Sequence, residues 1–108
     1  MDWEDIMVEE AKRRREIFGN LDRYLTGILN VVKAYDGDAE VYLFGSVLES
    51  RHLLSSDIDV LIVTDIHPGR MLSILWREGF EDPFEFHIIS RERARHFIKR
   101  LGKVKKIG

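Results

Sequence analysis

The chain has 108 residues, 44% of them hydrophobic and 33% charged, with a formal net charge of −2. That length suits one domain with a modest core and leaves no room for a second, substrate-binding domain. With no cysteine, disulfides and thiolate metal sites are excluded; no apolar run nears the roughly 20 residues of a membrane span, and the acidic start is unlike a signal peptide, so a cytoplasmic protein is expected.

From about Glu4 to Tyr35, Ile17, Leu21, Leu25, Ile28 and Val32 recur at helical spacing. One unbroken helix of that length would reach about 50 Å, longer than so small a domain is wide, so Gly19-Asn20 is expected to divide it into a short first helix and a longer second one. Asp36-Gly37-Asp38 is a turn signal, and Glu40 to Phe44 is the first strand. Gly45-Ser46 forms a turn, Val47 to Arg51 a single helical turn, and Ile58 to Thr64 a second, well-buried strand. Pro68-Gly69 breaks the chain before a helix from Met71 to Glu78. Phe84 to Ile89 is the third strand, and Ser90 begins a last helix that runs to about Leu101. Trp76 and Phe80 are expected in the core, together with Phe97, Ile98 and Leu101.

This order predicts an α+β (mixed α/β) fold: a small mixed β-sheet with helices packed on one face. The whole chain, 1–108, reads as one domain, with a helical part over 3–35, a catalytic sheet core over 40–90 and a basic helix and tail over 91–108. From Arg91 to Lys106, eight basic residues stand against the single acid Glu92. Solvation is the commonest fate of such a run. Nucleic-acid binding ranks lowest, since Phe97 alone could serve as a stacking aromatic.

The most informative stretch is Gly45 to Val63. A strand delivers the chain to Gly45-Ser46, whose backbone N–H groups and hydroxyl can meet an anion. Asp57 and Asp59 lie two apart in a strand-like segment, so both carboxylates face one way, and a shared cation would relieve their repulsion. In the third strand, Glu85 and His87 alternate with Phe84, Phe86 and Ile88. Glu85 is therefore either a third carboxylate of the site or an exposed polar position on a sheet face. His87 reads more readily as a satisfied sheet histidine than as a ligand, although it shares the face of Glu85. If the two strands are neighbours, Asp57, Asp59 and Glu85 suit one or two Mg²⁺ ions on a nucleoside triphosphate, and the chemistry would be nucleotidyl transfer.

The segment GSVLESRHLLSSDIDVLIV resembles the signature of the DNA polymerase β-like nucleotidyltransferases, and the short chain is similar to their minimal (MNT) branch. The resemblance implies that Gly45 and Ser46 contact the triphosphate, that Asp57 and Asp59 bind Mg²⁺, and that Glu85 is the third acid. Ser56 is a supporting candidate for the nucleotide site, and Arg51 could clamp the triphosphate or simply lie in solvent. Two positions depart from the usual pattern: Ser50 stands where such loops carry glycine, and Glu85 where aspartate is commoner. The resemblance further implies transfer of AMP from ATP to a hydroxyl of a protein or other acceptor, and many minimal members resemble antitoxins paired with an all-helical HEPN-type toxin. The alternative is a catalytically weak, antitoxin-like binding module that neutralises a partner by contact, with homo-oligomerisation also open.

Overall fold

The computed structural model describes residues 1–49 and 56–108. Its elements are α1 (Trp3–Gly19), α2 (Leu21–Tyr35), β1 (Glu40–Phe44), β2 (Ile58–Val63), α3 (Pro68–Arg77), β3 (Phe84–Ile89), α4 (Arg91–Leu101) and β4 (Val104–Lys106).

Asn20 separates the first two helices, as the sequence suggested: its backbone N–H bonds to Ile17 O at 3.1 Å and its side chain to Glu16 O at 2.9 Å. The expected lengths are reversed, however, α1 having 17 residues and α2 15. A capping box starts α1 early, the Asp2 carboxylate accepting from the Asp5 N–H at 2.9 Å and the Asp5 carboxylate accepting from the Asp2 N–H at 3.3 Å. Glu9–Lys12 and Glu10–Arg13 pairs then line its exposed face.

The four strands lie in the order β3-β2-β1-β4. β1 is antiparallel to β2 and to β4, whereas β2 and β3 are parallel and joined through α3, the crossover that parallel neighbours require. Period-two alternation assigns the faces. Val41, Leu43, Ile58, Val60, Ile62 and Phe84 form the main core with Ile17, Leu25, Ile28, Val32, Met71 and Leu75 of α1, α2 and α3. This is the helical layer expected from sequence. The opposite face adds a smaller cluster, in which Leu61 and Val63 are covered by Ala94, Phe97, Ile98 and Leu101 of α4. Trp76, expected in the core, is instead 52% exposed, while its neighbour Leu75 is the buried residue.

β4 was not expected, because its basic residues show no apolar alternation. It adds to the free edge of β1: Tyr42 pairs with Lys106, Ile107 N donates to Val41 O at 2.8 Å, and the Lys106 ammonium bonds Glu40 at 2.8 Å. That bond lowers the Glu40 pKa and raises that of Lys106, while burial, followed by the Glu40 charge, raises that of Tyr42.

At the far end of β2, buried Thr64 donates to Asp36 Oδ2 at 2.7 Å and accepts from the Ile66 N–H at 3.2 Å. Arg91 grips both oxygens of Asp36 at 2.8 Å and reaches Asp65 at 2.8 Å. The end of α2 is thereby tied to the end of β2 and the start of α4. No described helix is long and apolar enough to cross a membrane.

Candidate functional site

The candidate residues gather at the other end of the sheet, where β1 finishes and β2 and β3 begin. Phe44, the last residue of β1, is opposite Asp59, and Asp59 is the register partner of Glu85 on β3. These three therefore form one row across the sheet, on the face that α4 partly covers. His87, two residues beyond Glu85, points to the same face. Its Nε2 lies 3.2 Å from Asp59 Oδ1 and 3.9 Å from Glu85 Oε1. The Phe44 ring is 5.0 Å from the imidazole, tilted by 60°, and so flanks it on the β1 side.

One ligand atom from each of Asp59, Glu85 and His87 lies within 4.8 Å of the other two. Two carboxylates and an imidazole converging at a partly open sheet end make a donor set that could hold a divalent cation. Asp59 and His87 are half-buried and Glu85 is exposed. Asp57 is not one of this group; it stands exposed, one residue ahead of β2. His87, which the sequence reading ranked mainly as a structural residue, is thus the side chain that meets both acids. The signal was its i+2 spacing from Glu85.

Gly45 follows β1 with φ of +83°, a conformation that glycine adopts without strain. A Cβ placed there would run into Asp59 Oδ2, so the turn passes directly over the carboxylate. Ser46 to Glu49 continue as turns, the Glu49 N–H donating to Gly45 O at 3.2 Å. Ser46 and Ser56 are half-buried, and Arg14 of α1 donates to Ser56 O at 3.3 Å. Arg51, the proposed triphosphate clamp, lies outside the described residues, as do Ser50 and the end of the predicted helical turn. A separate groove, lined by Ile89, Glu92, Arg93, His96, Phe97 and Arg100, runs along α4 away from these acids.

A strand that ends in a glycine turn over a carboxylate of its antiparallel neighbour, which in turn pairs in parallel with a strand bearing a second carboxylate, is the arrangement expected of a polymerase β-like nucleotidyltransferase. The chain belongs to the nucleotidyltransferase domain family, whose model matches residues 25–107. A crystal structure provisionally assigned as a nucleotidyltransferase is 31% identical and superposes with a TM-score of 0.63, covering 79% of this chain and 98% of that one. A second provisional nucleotidyltransferase, from Sulfolobus solfataricus, is 18% identical with a TM-score of 0.56, covers 90% of this chain and 85% of that one, and shares the fold. No curated protein matches the chain. The family is one of transferases and implies a nucleotide substrate.

Proposed function

We propose that the protein is a Mg²⁺-dependent nucleotidyltransferase that moves AMP from ATP to a hydroxyl of a protein or other acceptor. The observation that carries this reading is the Asp59 carboxylate packed beneath the Gly45 turn with Glu85 beside it, within a chain of this family. Asp57 and Asp59 would hold Mg²⁺ against the triphosphate, with Glu85 available for a second ion. When bound, the cation supplies charge neutralisation on the phosphates.

The chain's own groups would do the rest. The backbone N–H groups and hydroxyl of the Gly45-Ser46 turn bind the β- and γ-phosphates, with Ser56 in support and Arg51 as the candidate clamp. Where it does not hold a second ion, Glu85 takes the proton of the acceptor hydroxyl. The acceptor oxygen then bonds to the α-phosphorus as the bond to the bridging oxygen of the β-phosphate breaks and pyrophosphate leaves. Such transfer demands in-line positioning more than covalent participation by the protein. Residues 1–108 would act as one minimal domain in the cytoplasm.

Labelled ATP with Mg²⁺ and candidate acceptors tests the reading. Label should pass to an acceptor and be lost in the Asp57→Ala, Asp59→Ala double variant. Transfer that survives both changes would refute it.

A second reading is favoured by α1. Trp3 is 72% exposed, and Ile6 and Met7, also exposed, share its face at i+3 and i+4. The family match begins at residue 25, beyond this helix. An apolar face outside the matched region suits an antitoxin-like module that contacts a partner protein, a HEPN-type toxin being the candidate that the resemblance suggests. Co-purification with that partner, unaffected by Asp57→Asn and Asp59→Asn but lost in Trp3→Ala with Met7→Ala, would favour contact over catalysis.

A further inference from the structure

We propose that His87 is a nitrogen ligand of a cation position formed with Asp59 and Glu85, and that this position selects later first-row dications such as Co²⁺ and Zn²⁺ over Mg²⁺. The inference rests on the metal-dependent reading above and deepens it: His87 adds an imidazole nitrogen to the second-ion position that Glu85 offers there, with Asp59 shared between the two ions. The Mg²⁺ of that reading arrives with the triphosphate on Asp57 and Asp59, whereas the mixed oxygen and nitrogen position is defined by the side chains of Asp59, Glu85 and His87 before any nucleotide binds.

Three observations support it. First, the spacing fits: Nε2 of His87 is 3.2 Å from Asp59 Oδ1 and 3.9 Å from Glu85 Oε1. Two donors each about 2.1 Å from one ion stand about 3.0–3.4 Å apart at octahedral or tetrahedral angles, near both distances from His87, and the three ligand atoms lie within 4.8 Å of one another, so the carboxylates need only turn toward the imidazole. Second, the imidazole is held in place. It stands on β3 two residues after Glu85 and is flanked by the Phe44 ring at 5.0 Å, and its side chain remains 31% exposed, which leaves an open approach. With its proton on Nδ1, the Nε2 lone pair faces the same point as the carboxylates. Third, the donor types decide the metal. Mg²⁺ takes oxygen ligands and keeps its water, whereas imidazole nitrogen favours the later dications.

A plain hydrogen bond from His87 that orients Asp59 is the competing account, and the two predict different metal behaviour. Nucleotide-free protein is titrated with CoCl₂ and, separately, with MgCl₂, for wild type, His87→Gln, His87→Ala and Asp59→Asn. His87→Gln keeps an amide that reaches the Nε2 position and can bond Asp59, while removing the imidazole. The wild type should bind Co²⁺ more tightly than Mg²⁺, and His87→Gln should lose at least about tenfold in Co²⁺ affinity with little change for Mg²⁺. The Co²⁺ form of the wild type should also show a strongly shifted, exchangeable imidazole N–H proton by NMR, a readout that needs no variant to fold.

Absence of that proton from Co²⁺-loaded wild type, or Co²⁺ binding by His87→Gln equal to wild type, would overturn the proposal. So would an equal loss of both cations in that variant, which marks His87 as a positioning residue only. The reading beneath it fails separately: the shifted proton together with no transfer from labelled ATP would leave this cation position standing and remove the transferase.

Discussion

The Cα of Gly45 lies against the carboxylate of Asp59, whose Oδ2 fills the space in which any side chain at position 45 would begin. With φ at +83°, the position is also unfavourable for every other residue type. Turn and carboxylate are therefore packed as a unit, and both penalties fall on Gly45→Ala. The variant should lose about 1–2 kcal/mol from backbone strain alone, read by urea unfolding, and its Asp59 carboxylate should be displaced. Divalent-cation affinity should fall with it. A variant as stable as wild type with unchanged cation binding would mean that the turn does not sit over Asp59.

Glu85→Gln should separate function from stability. Asp59 and Glu85 are register partners on neighbouring parallel strands, so two negative charges face one another across the sheet. Removing one should leave the apo protein unchanged or stabilise it by up to about 1 kcal/mol, while weakening cation binding and nucleotidyl transfer. Chemical denaturation without added metal, paired with calorimetric titration of the cation, gives both numbers. A large loss of stability in metal-free buffer would show that Glu85 serves the fold instead.

The site was legible to the extent that strand periodicity and turn chemistry are local. Gly45, Asp59, Glu85 and the limits of β1 and β3 follow from alternation and from one glycine at a strand end. His87 was harder to place, because its contact with Asp59 depends on which strands are neighbours and in what register. That long-range pairing is written nowhere in the segment itself. The same limit hid β4, whose basic residues gain their place only from the free edge of β1 and from Glu40. Trp76 misled because helical spacing marks a face, not how far round that face the core extends.

Asp36 should make stability depend on pH in the acid range. Its pKa is lowered, first by the hydrogen bond from Thr64, then by the Asp38 N–H and the Arg91 guanidinium. A carboxylate with a folded pKa below its unfolded value contributes fully above the unfolded value, here above about pH 5, and that contribution disappears as pH falls through the depressed folded value. Asp36→Asn should therefore cost about 2 kcal/mol at neutral pH, and the gap from wild type should narrow steadily on acidification. Thermal melts of both proteins from neutral to strongly acidic buffer check the sign. A gap that stays constant with pH would mean that the Asp36 charge plays no part.

The second face of the sheet offers the sharpest test of the fold around the site. Leu61 lies two residues from Asp59 on the same side of β2, and in a sheet with helices on one face only it would be open to water. Here it is fully buried, with Phe97, Ile98 and Leu101 of α4 packed on its cluster. Truncating a buried leucine costs both its transfer free energy and the cavity left behind, so Leu61→Ala should lose about 2–5 kcal/mol. Phe97→Ala, from a half-buried position, should lose less. If α4 also holds the floor of the site, Leu61→Ala should loosen His87 and Asp59 together, and cation affinity should drop although neither ligand has been changed. A cost below about 1 kcal/mol would place α4 elsewhere and leave that face exposed.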